Sequence, residues 1–283
     1  MYLKGVFLVS KITIVTDSTS CMTREYVEEN DIKVMQILVD FDGTVIREGF
    51  QGEYEESYRL LQACDDFPKT SQPPIGEFEA VFKNAIENNG EVIAIMVSSK
   101  TSGSYNTALM AAHILESDKI SVIDSETSGP NLKVLVERAN ELANDNKSRS
   151  DIVKIIEKEK KHMSVNMTFE TLDYIEKAGR LSHSKKVIVN MLNIKPIIGV
   201  IDGTIQIVGR SRGKNKAIKQ MISDIHPDSK IIHVAYILNR PEAEKLATLI
   251  SKSYPDAIIK LSEIGPSLGT MFGPNSIGIL CSW

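Results

Sequence analysis

The sequence predicts a two-domain α/β fold, with an N-terminal domain built on a parallel sheet and a smaller C-terminal domain of mixed α+β type. Near-continuous apolar runs, typical of parallel strands covered on both faces, lie at residues 12–16, 34–39, 92–97 and 120–123. The second half instead combines helical segments with a hairpin signal. A chain of 283 residues is long enough for roughly two domains.

Apolar residues that recur every three to four positions predict helices between these strands. One repeat is Phe78, Phe82 and Ile86, and the other is Tyr105, Leu109 and Ala112. Proline at 73 and 74 marks the start of the first helix, and the Ser-Gly-Ser segment at 102–104 marks the start of the second. Strand and helix therefore alternate, which is the order that builds a parallel sheet.

A polar segment at residues 144–150 separates the two halves, so the predicted domains are residues 1–150 and 151–283. In the second domain, Asp202-Gly203 between two apolar runs is a strong signal for a tight hairpin. The other expected elements are helices near 151–161, 171–181, 184–193, 214–225 and 241–253, and strands near 230–238, 257–261 and 277–282.

Composition excludes several classes of function and partner. The net charge is −4 and the basic residues are scattered, so we expect no nucleic-acid partner. No run approaches the roughly 20 apolar residues that span a bilayer. Three irregularly spaced cysteines argue against a disulfide framework or a zinc site and favour a reducing, cytoplasmic location. We expect neither a metal nor another cofactor.

Hydroxyl side chains cluster where apolar runs end, and this is the feature that points to a ligand. The clusters are TDSTS at 16–20, KTSQP at 69–73, SSKTSGS at 98–104 and IDSETSGP at 123–130. Ligands of open α/β sheets lie beyond the carboxyl ends of the strands, and helix N-termini attract anions there. We therefore expect a polar pocket for an anionic head group. The alternative for Ser71 and Ser102 is that they cap helices.

Motifs for independent catalysis are missing from the sequence. It contains no P-loop and no GxGxxG segment, which disfavours a self-contained kinase. It also contains no GxSxG elbow, and none of its five histidines has the spacing of a triad or a metal site. The residues favour a binding protein over an enzyme, but they leave open an enzyme that acts on a small carboxylated or phosphorylated substrate.

A series of segments along the whole chain resembles the DegV family, the fatty-acid-binding (FakB-type) subunits of bacterial fatty acid kinase. The segments are IVTDSTS at 14–20, KTSQP at 69–73, SSKTSGSYN at 98–106, IDSETSG at 123–129, LDYIEKAGRLS at 172–182, IKPII at 194–198, RGKNKA at 212–217 and EIGPSLGTMFGPNSIG at 263–278. The resemblance implies two α/β domains that enclose a long-chain fatty acid between them. It also implies a separate ATP-binding kinase subunit as partner, and transient contact with a membrane surface is a further expectation.

The resemblance assigns the carboxylate-binding residues. By the family pattern, Thr70 and Ser102 hold the fatty-acid carboxylate. Arg212 matches an arginine that the family places near the head group and ties to phosphoryl transfer. The family's histidine in its GxHxGPG segment is Met271 here. Since methionine neither donates a hydrogen bond nor carries charge, this departure implies either weakened phosphotransfer or a lipid-binding regulator without it.

A fatty acid also suits the physical chemistry of a hydroxyl pocket joined to an apolar tunnel. Burial of a sixteen-carbon tail offers on the order of 12 kcal/mol before ordering costs, at about 0.8 kcal/mol for each CH₂. Each head-group hydrogen bond adds about 1 kcal/mol and mainly fixes orientation. Candidate tunnel segments are 187–192, 197–201 and 277–280, for which the alternative is ordinary core.

Overall fold

The structure is a computed structural model that describes residues 11–88, 90–171, 173–181 and 194–283. The helix expected at 184–193 and the tunnel segment expected at 187–192 lie outside the described residues. Most of the elements that the apolar patterns predict are present in the described chain, together with several that those patterns do not reveal.

The first part of the chain runs from β1 to α6. Its elements are β1 (Ile12–Asp17), a 3₁₀ turn (Ser18–Ser20), α1 (Arg24–Glu29), β2 (Lys33–Met35), β3 (Leu38–Phe41), β4 (Thr44–Arg47), α2 (Glu55–Ala63), β5 (Lys69–Ser71), α3 (Ile75–Glu87), β6 (Glu91–Met96), α4 (Ser104–Ile114), β7 (Ile120–Asp124), α5 (Pro130–Asn144) and α6 (Arg149–Glu159).

The second part runs from β8 to β13. Its elements are β8 (Met163–Thr168), α7 (Asp173–Ala178), β9 (Ile194–Ile201), β10 (Thr204–Arg212), α8 (Lys214–Ser223), β11 (Ile231–Tyr236), α9 (Arg240–Ser253), β12 (Ile258–Glu263), α10 (Pro266–Phe272) and β13 (Ile277–Ser282).

The first sheet confirms the predicted parallel architecture. Its order is β2-β1-β6-β7, and every pair in it is parallel. Helices α5 and α6 cover one face through residues such as Leu135 and Ile152, while α3 and α4 cover the other through Phe78 and Ala108. Because both faces are buried, β6 reads as a continuous apolar run in the sequence.

The apolar run at 34–39 is not one strand, and that prediction is wrong. Strand β2 joins the first sheet, but β3 pairs antiparallel with β4 and β5 in a separate three-stranded sheet. The chain crosses between the sheets at Gln36 and Ile37. The Ile37 amide donates to Ser18 Oγ at 3.0 Å, and the Gln36 side-chain amide donates to the Glu48 carbonyl at 2.9 Å. These side-chain bonds replace a continuous strand ladder.

The second large sheet is mixed, as the sequence predicts, with the order β10-β9-β8-β13-β11-β12. The predicted hairpin joins β9 and β10, and both of its turn residues have positive φ, 49° at Asp202 and 75° at Gly203. Sequence reasoning missed β8, although Met163, Val165 and Met167 alternate with polar residues there.

A shared apolar core joins the two parts of the chain. It includes Cys21 and Tyr58 from the first part and Leu268 and Leu280 from the second. Helix α6 packs on the first sheet, and the predicted domain boundary at residue 150 stays a prediction. The candidate site lies beside this shared core.

Candidate functional site

Hydroxyl side chains from separate segments line one pocket of about 320 Å³, called here the hydroxyl pocket. Its polar lining includes Thr19, Thr70, Ser99, Ser102, Arg180 and Ser267. Three of the four hydroxyl clusters therefore meet as predicted. Within the described chain, the fourth cluster at 123–130 contributes no residue to this pocket and instead lines a neighbouring one.

Thr70 lies on β5, opposite Val39 of β3. The Arg180 guanidinium, which follows α7, donates to Thr70 Oγ1 at 3.4 Å and to the Ala178 carbonyl at 2.8 Å. A cation therefore stands beside the predicted carboxylate-binding hydroxyl. Sequence reasoning assigned no role to Arg180, although the residue lies in the family-like segment at 172–182.

Ser102 lies in the loop between β6 and α4, beyond the carboxyl end of β6. Its amide donates to the Ser98 carbonyl at 3.1 Å, and its Oγ accepts from the Ser104 amide at 3.3 Å. Ser102 thus contacts the first residue of α4 and also lines the hydroxyl pocket, but it is not the N-cap residue, which is Gly103. Ser71 does not cap α3, because the N-cap residue of that helix is Pro74.

A buried carboxylate shapes the loops on the first-sheet side of the pocket. Asp17 accepts from the Val97 amide at 2.9 Å and from the Thr19 amide at 3.1 Å and hydroxyl at 2.5 Å. Burial raises the pKa of Asp17, and these donors oppose the shift. The contacts tie the ends of β1 and β6 together and fix Thr19 in the pocket wall.

A second buried carboxylate, Glu48, attaches α10 to the first part of the chain. It accepts from the Ser18 hydroxyl, from the Ser267 amide at 2.9 Å and from the Ser267 hydroxyl at 2.8 Å. Burial raises the pKa of Glu48 to about 7. A Cβ at Gly265 would collide with this carboxylate, so glycine permits the close approach. Sequence reasoning missed Glu48, since an isolated glutamate carries no sign of burial.

An apolar pocket adjoins the hydroxyl pocket and shares Thr101, Leu268 and Met271 with it. Its other walls include Val165 and Met167 of β8, Ile198 and Val200 of β9, and Leu280 of β13. The predicted tunnel segments 197–201 and 277–280 therefore both supply wall residues. The pocket's volume is about 20 Å³, whereas ligand pockets are typically roughly 300–1,000 Å³, so an acyl chain requires these side chains to move.

The two residues predicted near phosphoryl transfer differ in burial and in the pockets that they line. Met271 is buried on α10, where it belongs to both pockets. Arg212 is exposed at the end of β10 and lines neither of them. The structure thus brings Thr70, Ser102 and Met271 to the hydroxyl pocket, with Arg180 in addition, and the role of Arg212 stays a prediction.

Among the residues that the structure describes, no helix has both the length and the apolar character needed to cross a bilayer. In the same part of the chain, no three His, Cys, Asp or Glu side chains are grouped so that they could hold a metal ion.

Comparison with known proteins identifies the family. The model of the DegV family, described as uncharacterised proteins, matches residues 11–282. A DegV domain-containing protein of Caldanaerobacter subterraneus is 31% identical over 279 residues, which cover 95% of this chain and 98% of that protein. DegV of Bacillus subtilis, solved as a fatty acid binding protein, is 28% identical, with a TM-score of 0.85 over 97% of this chain and 100% of that one.

A stearic-acid-binding protein of Eubacterium ventriosum is 25% identical to this chain. Its structure superimposes with a TM-score of 0.85 over 96% of this chain and 98% of the other. Since the family model matches nearly the whole sequence and the fold agrees with solved relatives, this chain belongs to the DegV family.

Proposed function

We propose that this protein binds a long-chain fatty acid, with the carboxylate in the hydroxyl pocket and the acyl chain in the apolar pocket. The observation that carries this proposal is the junction at Thr101, Leu268 and Met271, which line both a pocket rich in hydroxyl groups and a pocket with mainly aliphatic walls. An amphipathic ligand with one anionic end matches that junction. The fatty acids bound by solved relatives support the same ligand class.

The carboxylate meets Thr70, Ser102 and the Arg180 guanidinium. Hydrogen bonds to a carboxylate are stronger than neutral ones, and Arg180 adds a charge of the opposite sign. The acyl chain supplies most of the affinity through burial of its CH₂ groups. Methionines at 167 and 271 line the apolar pocket, and their flexible side chains adapt readily to a ligand.

In this proposal the protein presents the carboxylate to a separate ATP-binding kinase subunit, which phosphorylates it to an acyl phosphate in the cytoplasm. Resemblance to FakB-type subunits and the absence of P-loop and GxGxxG segments from the sequence support this role. Loading and release of the lipid then involve transient contact with a membrane surface.

A second candidate function is lipid binding or regulation without phosphotransfer. Two observations favour it: Met271 stands where the family has a histidine, and Arg212, which matches the family arginine, does not line the hydroxyl pocket. Methionine at 271 offers no donor to the head group, and the Arg212 side chain is exposed outside the hydroxyl pocket.

Native mass spectrometry of the purified protein tests the binding proposal. We expect one long-chain fatty acid per chain, either co-purified or taken up from added oleic acid. A protein that stays empty in both cases contradicts the proposal.

Acyl phosphate formation with a kinase subunit separates the two candidates. If presentation is the function, the native protein supports turnover. If the departure at Met271 has removed phosphotransfer, turnover is low, and Met271→His raises it without a matching gain in fatty-acid affinity. Met110→His on the exposed face of α4 is the matched control and leaves turnover unchanged.

A further inference from the structure

A second polar pocket also adjoins the apolar pocket. This distal polar pocket has a volume of about 470 Å³ and shares Thr127, Val165, Val200 and Gly203 with the apolar pocket. Among the described residues it shares none with the hydroxyl pocket. The apolar pocket is therefore flanked by two polar regions, of which the proposed function uses one.

Two residues that line the distal polar pocket, Thr127 and Asn131, each carry a buried polar atom without a hydrogen-bond partner in the described part of the chain. The atoms are Thr127 Oγ1 and Asn131 Oδ1, and the residues are 5% and 1% exposed. The Asn131 amide nitrogen donates to the Ser164 carbonyl at 3.0 Å. That bond fixes the orientation of the side-chain amide, and its oxygen is then the atom without a hydrogen-bond partner. Buried polar atoms are usually satisfied, so this pair indicates a missing partner.

The charges of the distal polar pocket are already matched. The Lys160 side chain is 5% exposed and lies 2.9 Å from the Glu126 carboxylate and 2.8 Å from the Glu157 carboxylate. It also donates to the Asp124 carbonyl at 2.8 Å. Exposed Lys161 and Asp202 line the rim with opposite charges. A ligand with a carboxylate here would face the Asn131 oxygen, and Lys160 is already paired and could not neutralise its charge. A neutral polar group would leave these ion pairs intact.

A hydroxyl group complements the two unpaired atoms. Its O–H can donate to Asn131 Oδ1, and its oxygen can accept from the Thr127 hydroxyl. An aliphatic chain that ends at this point satisfies neither atom. A hydroxyl placed among the aliphatic walls of the apolar pocket would itself be unsatisfied.

We propose that the distal polar pocket binds a hydroxyl group carried on the acyl chain, so that hydroxylated long-chain fatty acids are ligands of this protein. The inference rests on the proposed function, because the carboxylate is taken to lie in the hydroxyl pocket. Thr127 and Asn131 are then residues that select for the hydroxyl group. They belong to α5 and to the loop before it, where the fourth hydroxyl cluster of the sequence lies.

Competition binding with defined fatty acids tests the proposal. The probes are octadecanoic acid and its 10-, 12- and 18-hydroxy derivatives, which place the hydroxyl at different depths. We expect at least one derivative to bind at least about threefold more tightly than octadecanoic acid, in line with a modest net gain from hydrogen bonds to otherwise unpaired atoms. Weaker binding of all three derivatives overturns the proposal.

Isosteric variants locate the effect. The Kd of the preferred derivative is divided by the Kd of octadecanoic acid for each variant. In Thr127→Val this ratio should be about fivefold higher than in the native protein, as expected for one lost hydrogen bond. Asn131→Leu should raise this ratio by at least as much, while Thr127→Ser keeps a hydroxyl and should preserve it. Thr16→Val is the matched control, because Thr16 Oγ1 is also buried and unpaired among the described residues but lines none of the three pockets.

The outcomes separate this inference from the proposed function. If octadecanoic acid itself fails to bind, the proposed function fails. If octadecanoic acid binds but neither Thr127→Val nor Asn131→Leu changes the Kd ratio in folded protein, the distal polar pocket holds only water and the inference is overturned. Thermal melting identifies a variant that does not fold, and the other variant then decides.

Discussion

The hydroxyl pocket and the apolar pocket are adjacent, but different forces hold their walls. Two buried carboxylates, Asp17 and Glu48, bind backbone amides and hydroxyls around the hydroxyl pocket. The apolar pocket has mainly aliphatic walls that include Met167 and Met271, whose flexible side chains can change rotamer.

This difference assigns separate tasks to the two pockets. A rigid polar pocket fixes where a head group lies, since its donors are held in place before the ligand arrives. An adaptable apolar pocket accommodates an acyl chain and supplies affinity in proportion to the area that it buries. Orientation should therefore be sensitive to single polar substitutions, and affinity for the chain should depend on many small contributions.

Removal of the Glu48 carboxylate should produce the largest loss on the polar side. Glu48→Ala leaves the hydroxyls of Ser18 and Ser267 and the Ser267 amide without their buried acceptor. We expect the free energy of unfolding to fall by about 3 kcal/mol, measured by urea denaturation. Glu77→Ala is the control, because the Glu77 carboxylate pairs with Arg47 at the surface and its loss should be worth less than about 1 kcal/mol. Equal losses in the two variants would contradict a supporting role for Glu48.

The Glu48 carboxyl should also make stability depend on pH. Its pKa is about 7 in the folded protein, raised by burial from 4.5. The folded state therefore holds this proton more tightly than the unfolded state, and the contribution to stability is full below about pH 4.5 and is lost as the pH rises through 7. The loss amounts to roughly 3 kcal/mol.

The matched variant for this pH effect is Glu48→Gln, which cannot titrate. The difference in unfolding free energy between the native protein and Glu48→Gln should change between pH 5 and pH 8 in the direction that disfavours the native protein at high pH. Taking this difference cancels the titration of other groups. A difference that stays constant over this range would show that Glu48 keeps an ordinary pKa.

The sequence predicts those elements that a local pattern determines. Strand β6 is an unbroken apolar run because both faces of its sheet are covered, and Asp202-Gly203 forms the hairpin because its backbone suits positive φ. Residues 34–39 look like one strand, yet they divide between two sheets, because the Ile37 amide donates its hydrogen bond to the Ser18 hydroxyl and not to a neighbouring strand. That bond depends on tertiary packing, which no local pattern encodes.

The candidate site divides in the same way. Thr70 and Ser102 could be found, because hydroxyl clusters at strand ends are visible in the sequence and match family segments. Glu48 could not be found, because its burial depends on the approach of Gly265 and Ser267, more than 200 residues away in the chain. Arg180 lies between these cases, since its segment is recognisable but its contact with Thr70 spans 110 residues.

Arg180 should contribute the largest single share of head-group affinity. Arg180→Met removes the cation beside Thr70 but keeps a long side chain. We expect the Kd for oleic acid to rise at least about tenfold, as for a charge-assisted hydrogen bond worth about 1.5–3 kcal/mol, while the melting temperature changes little. The exposed Arg210 of β10 provides the control, and Arg210→Met should leave the Kd unchanged. If both variants bind equally well, the carboxylate does not lie beside Arg180.

Loss of the Ser102 hydroxyl should have a smaller effect, and it separates binding of the carboxylate from support of the first turn of α4. Ser102→Ala removes one proposed carboxylate donor and the acceptor of the Ser104 amide, so we expect an unfolding free energy lower by about 1 kcal/mol and a Kd for oleic acid about fivefold higher. Ser148→Ala is matched to it, because Ser148 caps α6 by accepting from the Asp151 amide and lines neither the hydroxyl nor the apolar pocket. That variant should lose similar stability and keep its affinity for oleic acid. If Ser102→Ala behaves like Ser148→Ala in both measurements, Ser102 only supports the first turn of α4, and the carboxylate depends on Thr70 and Arg180 without it.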